Sequence, residues 1–119
     1  MGEIRVYIAS PYTLGDSAVN VRFQMEIADK LIELGYIPFV PLYFHFQHMF
    51  HPRHYTDWLK LDFVWLGQCN CVLRFNRVYD VDLTSEGADK EEAEAKRLGI
   101  PIFYSIDELV NYYKTKKEI

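Results

Sequence analysis

Cysteine is scarce in this chain of 119 residues, with only Cys69 and Cys71 present. The two stand close together on a stretch that reads as strand, a poor geometry for a bridge between them. A reducing, cytoplasmic setting is therefore the default expectation. Positive charge is also short: 13 Lys and Arg stand against 17 Asp and Glu, a formal net charge of -4. With no basic stripe to neutralise phosphates, a nucleic-acid partner is not expected. The only basic run, Lys114 to Lys117, sits in the C-terminal tail and reads as a solvated helix end. Long apolar runs are missing too. The most apolar stretches, Ile37 to Phe50 and Phe63 to Phe75, are interrupted by Pro, His, Gln and Asn, so neither is expected to span a membrane. Glu3 and Arg5 break the N-terminus before the apolar segment that a signal peptide needs. There is no internal repeat, linker or low-complexity segment. What is left is one domain over residues 1–119, half of its residues apolar, long enough to bury roughly two-thirds of its unfolded surface.

What is present alternates. Ile4 to Ala9 is a short apolar run bounded by Ser10-Pro11 and reads as a buried first strand. Asp16 or Ser17 caps a helix over Ala18 to Leu34 that stops at Gly35, with Asn20, Phe23, Ile27, Leu31 and Leu34 on one stripe. Tyr36 to Val40 is a second strand and Leu42 to His54 an aromatic- and histidine-rich loop. Tyr55 to Gly67 is a helix whose stripe is Tyr55, Leu59, Asp62 and Leu66. Asn70 to Phe75 is a third strand, followed by a polar connection over Asn76 to Leu83. A helix from Ser85 to Gly99, a fourth strand over Ile100 to Tyr104 and a helix over Asp107 to Lys116 complete the chain. Alternation of this kind predicts an α/β fold, a three-layer sandwich of the flavodoxin-like or Rossmann-like sort. Four or five parallel strands would carry helices on both faces. Ligands of such sheets bind outside the carboxyl ends of the strands, where strand order reverses.

Two carboxylates break the apolar stripes. Projected at 100° per residue, Ala88, Glu91, Ala95 and Leu98 share one side of their helix, with Asp89, Lys90, Lys96 and Arg97 opposite. Glu91 thus falls in the buried stripe, as Asp62 does on the preceding helix, and a buried carboxylate is costly unless paired or employed. A desolvated Glu91 could act as a nucleophile at an electrophilic carbon. Asp62, its pKa raised by burial, could donate a proton. Two carboxyls in unlike environments are what glycosidic chemistry requires. The helix N-terminus with Ser85 as cap would hold an anion or a sugar hydroxyl, and Gly87 would let the backbone approach a ligand.

These residues resemble a known group. Ser85, Gly87 and Glu91, in the pattern Ser-x-Gly-x-x-x-Glu, are similar to the active-site helix of the nucleoside 2-deoxyribosyltransferase superfamily, which includes deoxynucleoside-monophosphate N-glycosidases. The similarity extends to Asp62 through Asn70, to Tyr7-Ile8-Ala9-Ser10-Pro11-Tyr12, and to the Ala95 to Ile102 continuation. The resemblance implies that Glu91 attacks the anomeric carbon of a 2-deoxyribosyl or ribosyl group and releases the base. Water or a second base would then resolve the glycosyl-enzyme. It further implies that Asp62 assists the leaving base, that Tyr7 orients Glu91, and that Ser85 contacts the sugar or a 5′-phosphate. Members that transfer bases tend to carry an acid at the Ser85 position, whereas the nucleotide hydrolases carry Ser, which tilts the expectation toward a nucleoside monophosphate and hydrolysis. Ser10-Pro11-Tyr12-Thr13 lacks the Gly- and Arg-containing phosphate loop of those hydrolases.

His45, His48, His51 and His54 recur every third residue. Pro52 prevents one helix through all four, and no cysteine or carboxylate cluster accompanies them, so no metal or other cofactor is expected. The segment reads instead as a lid whose Tyr43, Phe44, Phe46, Phe50 and the nearby Trp58 offer stacking surfaces for a base. Ser10, Asn20, Tyr43, His45 and Trp58 join Ser85 and Gly87 as candidate substrate-binding residues. Aromatics make up 16% of the chain, more than one small core usually takes, which favours a homodimer or higher homo-oligomer. The rival readings are a non-catalytic nucleotide-binding module and a histidine-loop metal or interaction domain.

Overall fold

A computed structural model describes residues 3–117. Strand β1 (Arg5–Ala9) is followed by α1 (Ser17–Glu33) and β2 (Ile37–Phe39). A single 3-10 turn (Pro41–Tyr43) leads into the short helix α2 (Phe44–Phe50) and then α3 (Tyr55–Leu66). Next come β3 (Cys71–Arg74) and a two-stranded hairpin of β4 (Arg77–Val78) and β5 (Val81–Asp82). Helix α4 (Glu86–Leu98), β6 (Ile102–Phe103) and α5 (Ile106–Lys117) close the fold. The main sheet runs β2-β1-β3-β6 with every pairing parallel. This is the expected α/β architecture, with four strands in the flavodoxin-like order.

The layers follow from strand alternation, because successive side chains leave a strand on opposite faces. Val6 and Ile8 of β1, Cys71 and Leu73 of β3 and Phe103 of β6 pack with Ile27, Ala28 and Leu31 of α1 and Leu109 of α5. Tyr7 and Ala9, with Val72, pack on the other face with Leu66 of α3 and Ala88 and Ala95 of α4. One face is therefore closed by α1 and α5, the other by α3 and α4. Tyr7 points to the α4 side by parity alone.

Helix ends carry the expected chemistry. Asp16 accepts from the amides of Ala18 and Val19 at the start of α1, and Ser85 accepts from the Ala88 amide at the start of α4. Gly99 ends α4 at φ 72°, a left-handed conformation that favours glycine.

Several sequence expectations need correction. Leu34 is 52% exposed, because α1 ends before it and the chain turns away. The buried stripe is made instead by Asn20, Val21, Gln24, Ile27, Ala28 and Leu31. Leu98, in the last turn of α4, is 42% exposed. The segment over 42–54 is largely helical rather than a loop, the connection over 76–83 contains the hairpin, and the last sheet strand spans two residues. The backbone of Lys114 to Lys117 continues α5 as expected, while the side chains of Lys116 and Lys117 lie outside the described residues. Among the described residues no helix is long and apolar enough to cross a membrane. Cys69 and Cys71 are both free.

Candidate active site

Strand order reverses between β1 and β3: from β1 the chain steps to β2 on one side and then to β3 on the other. A cavity of about 410 Å³ opens at the carboxyl ends of these strands. That is a size suited to a small organic ligand, for which pockets of about 300–1,000 Å³ are usual. Ser10, Tyr12 and Thr13 contribute from the end of β1, and Pro41, Leu42, Phe44, His45 and His48 from the turn and α2. Arg53 precedes α3, which supplies Tyr55, Trp58, Leu59 and Asp62. The front of α4 supplies Ser85, Gly87, Ala88 and Glu91.

At the floor, Tyr7 is fully buried on β1 and its hydroxyl donates to Oε2 of Glu91, 84 residues away in sequence. The Tyr7 ring is held by stacking on Phe39, which in turn stacks on Trp65. Glu91 is 7% exposed. Its burial, reinforced by the nearby negative charge of Asp62, lifts its pKa to about 8, while the Tyr7 hydrogen bond and the Arg74 guanidinium act in the opposite direction. Burial raises Asp62 to about 7. Its Oδ1 is buried without a hydrogen-bond partner within the protein, an unsatisfied acceptor of the kind that folded proteins seldom leave without a use. The chain thus keeps two carboxyls titrating near neutrality on one cavity. A pair of this kind is poised to hold one proton between them.

The walls are aromatic. Phe44 stacks on Trp58 with ring centroids 5.3 Å apart, and the Trp58 indole N–H donates to Nδ1 of His48 at 2.8 Å. The Arg53 amide donates to the same nitrogen at 3.2 Å. Both partners are donors only, so His48 must carry its ring proton on Nε2. Nδ1 of His45 lies 2.5 Å from the Tyr12 hydroxyl. Helix α2 buries none of its own residues and is tied to the body through these ring contacts.

Most of the expected site residues meet here. Glu91, Asp62, Ser85, Gly87, Ser10, His45 and Trp58 all line the cavity, and Tyr7 stands directly behind Glu91. Two do not. Asn20 is buried, and its amide donates to the carbonyls of Tyr12 and Leu14, so it shapes the loop after β1 rather than the cavity wall. Tyr43 is half exposed and turns away from the cavity, because the 3-10 turn directs Leu42 inward instead. The Ser10 hydroxyl accepts from Gln24, which also donates to the Ile8 carbonyl and accepts from the Leu42 amide. Of the four histidines only His45 and His48 reach the cavity. Among the described residues no group of three or more His, Cys, Asp or Glu side chains is placed to hold a metal ion.

Three contributors were missed in the sequence. Arg53 brings positive charge to the cavity from the connection between α2 and α3. Gln24 stitches the floor, and its signal was a polar residue one turn beyond Asn20 on the same helix. Arg74, at the end of β3, is only 4% exposed and pairs with α4. No local pattern marked it, because its partners lie well downstream in the chain.

A search among curated proteins finds no match. A family model described as "Domain of unknown function (DUF7768)" matches residues 4–105, which takes in β1 to the end of β6 and every residue of the cavity. The chain belongs to this DUF7768 family.

Proposed function

We propose that the protein cleaves the N-glycosidic bond of a nucleoside or nucleoside 5′-monophosphate, with hydrolysis favoured over exchange of one base for another. The observation that carries this reading is the pairing of a Tyr7-bound, buried Glu91 with an unsatisfied Asp62 on one aromatic-walled cavity. Its motifs are those that resemble the nucleoside 2-deoxyribosyltransferase superfamily.

In the reactive form the single proton sits on Asp62 and Glu91 is ionised. Because Glu91 holds a proton more tightly than Asp62, this is the minor of the two arrangements, kept within reach by the Tyr7 hydrogen bond and the Arg74 charge. Its carboxylate attacks the anomeric carbon as the carbon–nitrogen bond breaks, and the departing base takes the electron pair and the Asp62 proton. Ionised Asp62 then takes a proton from water as that water opens the glycosyl ester and frees Glu91. The Phe44–Trp58 stack offers a face to the base. Arg53 and the front of α4 offer charge and amides to a 5′-phosphate, which supplies what the first loop lacks.

A second reading, a nucleotide-binding module without chemistry, is favoured by the aromatic wall and Arg53 alone. Incubation with a panel of deoxynucleosides, ribonucleosides and their 5′-monophosphates, watched for free base, separates the two. The catalytic reading expects base from at least one member and none with Glu91→Ala. No release from any member, with Glu91→Ala binding nucleotides as tightly as wild type, would leave the binding module. We also infer a homo-oligomer, since α2 and α3 leave Met49, Phe50, Val64 and Trp65 exposed. The two free thiols fit a cytoplasmic setting.

A further inference from the structure

We infer that Arg74 is a positioning residue for Glu91: from the end of β3 it fixes the rotation of α4 and holds a positive charge beneath the nucleophile. The inference rests on reading Glu91 as the nucleophile. By strand parity Arg74 leaves β3 on the face of Val72, toward α4, as the register partner of Ala9 of β1. Its guanidinium spans two side chains of that helix, with Nη2 at 2.9 Å from Asp89 and Nη1 at 3.6 Å from Glu92. These two residues bracket Glu91 in sequence. At 100° per residue, gripping positions 89 and 92 leaves position 91 turned toward Tyr7 and the cavity.

A buried arginine is an expensive way to dock a helix, since the charge must be desolvated and an apolar residue of similar size commonly does as well. Here the desolvation is incomplete in its compensation, because Nε is buried with no hydrogen-bond partner. Glu92 is shared with the Tyr104 hydroxyl at 3.0 Å and the Lys96 ammonium at 3.3 Å, and Asp89 is largely exposed. The acids gripped by Arg74 are thus partly neutralised by others or by solvent. Part of its positive charge remains to act on Glu91, in line with its effect on that carboxyl. A planar guanidinium can hold two acids at once; a lysine keeps the charge but not the fork.

The test reads Glu91 directly. The carboxyl carbon of Glu91 is followed by ¹³C NMR during a pH titration of the full chain in wild type, Arg74→Gln and Arg74→Lys, alongside the pH dependence of kcat/KM. Arg74→Gln keeps donors for Asp89 but removes the charge, and should raise the Glu91 midpoint by about one pH unit, tenfold in proton affinity. Arg74→Lys should keep the midpoint while lowering kcat at unchanged KM. A midpoint that does not move in folded Arg74→Gln, or moves equally in Arg74→Lys, overturns the inference. Should Arg74→Gln fail to fold, Arg74→Lys decides alone: an unshifted midpoint with reduced kcat supports the role, and a unit shift or unchanged kcat refutes it. A wild type that releases no base under any condition sinks the catalytic reading instead, while the NMR midpoints still report on Arg74's charge.

Discussion

Replacing Glu91 by glutamine should make the protein more stable above neutral pH, and the gain should vanish in acid. In the unfolded chain this carboxyl titrates near its ordinary 4.5, whereas burial among Ala88, Ala95 and Tyr7 holds it protonated until about pH 8. Below the lower value both states are protonated and the group contributes no penalty. Between the two values only the unfolded state ionises, so folding stability falls steadily as pH rises, and above about 8 the loss is complete. Each pKa unit corresponds to about 1.4 kcal/mol, which sets a ceiling of about 5 kcal/mol; local relaxation should leave about 1–3 kcal/mol. Glutamine has the same shape, cannot ionise, and still accepts the Tyr7 hydroxyl proton, so no cavity or broken contact confuses the comparison. Urea unfolding of wild type and Glu91→Gln at pH 5, 7 and 9 measures the difference directly, provided the m-values agree. The curves should nearly coincide at pH 5 and separate at pH 9, with the variant more stable. Equal separation at every pH, or a weaker variant at pH 9, would show that Glu91 is not held as the structure places it. A gain in stability bought with loss of base release would mark a side chain kept for chemistry rather than for folding.

Three further outcomes follow from the same geometry. With one proton shared by Asp62 and Glu91, kcat/KM should trace a bell with limbs near pH 7 and 8; Asp62→Asn should abolish the alkaline limb and cost roughly 10²–10⁴ in rate. Arg53→Ala should raise KM for a nucleoside monophosphate at least tenfold while barely changing KM for the free nucleoside, measured by base release; equal losses for both would remove Arg53 from phosphate binding. A methyl group added at Gly87 would meet only the Tyr55 hydroxyl, at 3.5 Å. Gly87→Ala should therefore keep the wild-type melting temperature or better it slightly, while raising KM. An unchanged KM would mean that no ligand approaches that backbone.

The layer structure was legible because parity and helical period are local. Tyr7 had to face one side of the sheet, and Glu91 and Asp62 stood out as charges inside apolar stripes; all three occur where those patterns put them. Helix α2 was not legible. Its sequence is dominated by Phe and His, which are middling helix formers, it has no side-chain cap, and it is held by the Trp58 contacts of α3 rather than by its own pattern. Arg74 was hidden for a related reason. An arginine at a strand end ordinarily extends its head into solvent, and its burial depends on two acids 15 and 18 residues later. Asn20 was rightly read as buried but its partners, two carbonyls of the preceding loop, make it a brace rather than a ligand contact.

The contact between Tyr7 and Glu91 also has a bearing on how the protein comes into being. Its two halves are made 84 residues apart and meet only after β1 has found β3 and α4 has closed over both. Such pairings of distant segments form late and slowly compared with local helices. A nascent or half-folded chain therefore holds two ordinary, solvated side chains, a phenol and a carboxylate, with no unusual reactivity. The buried pair is complete only once the last layer of the sandwich has closed.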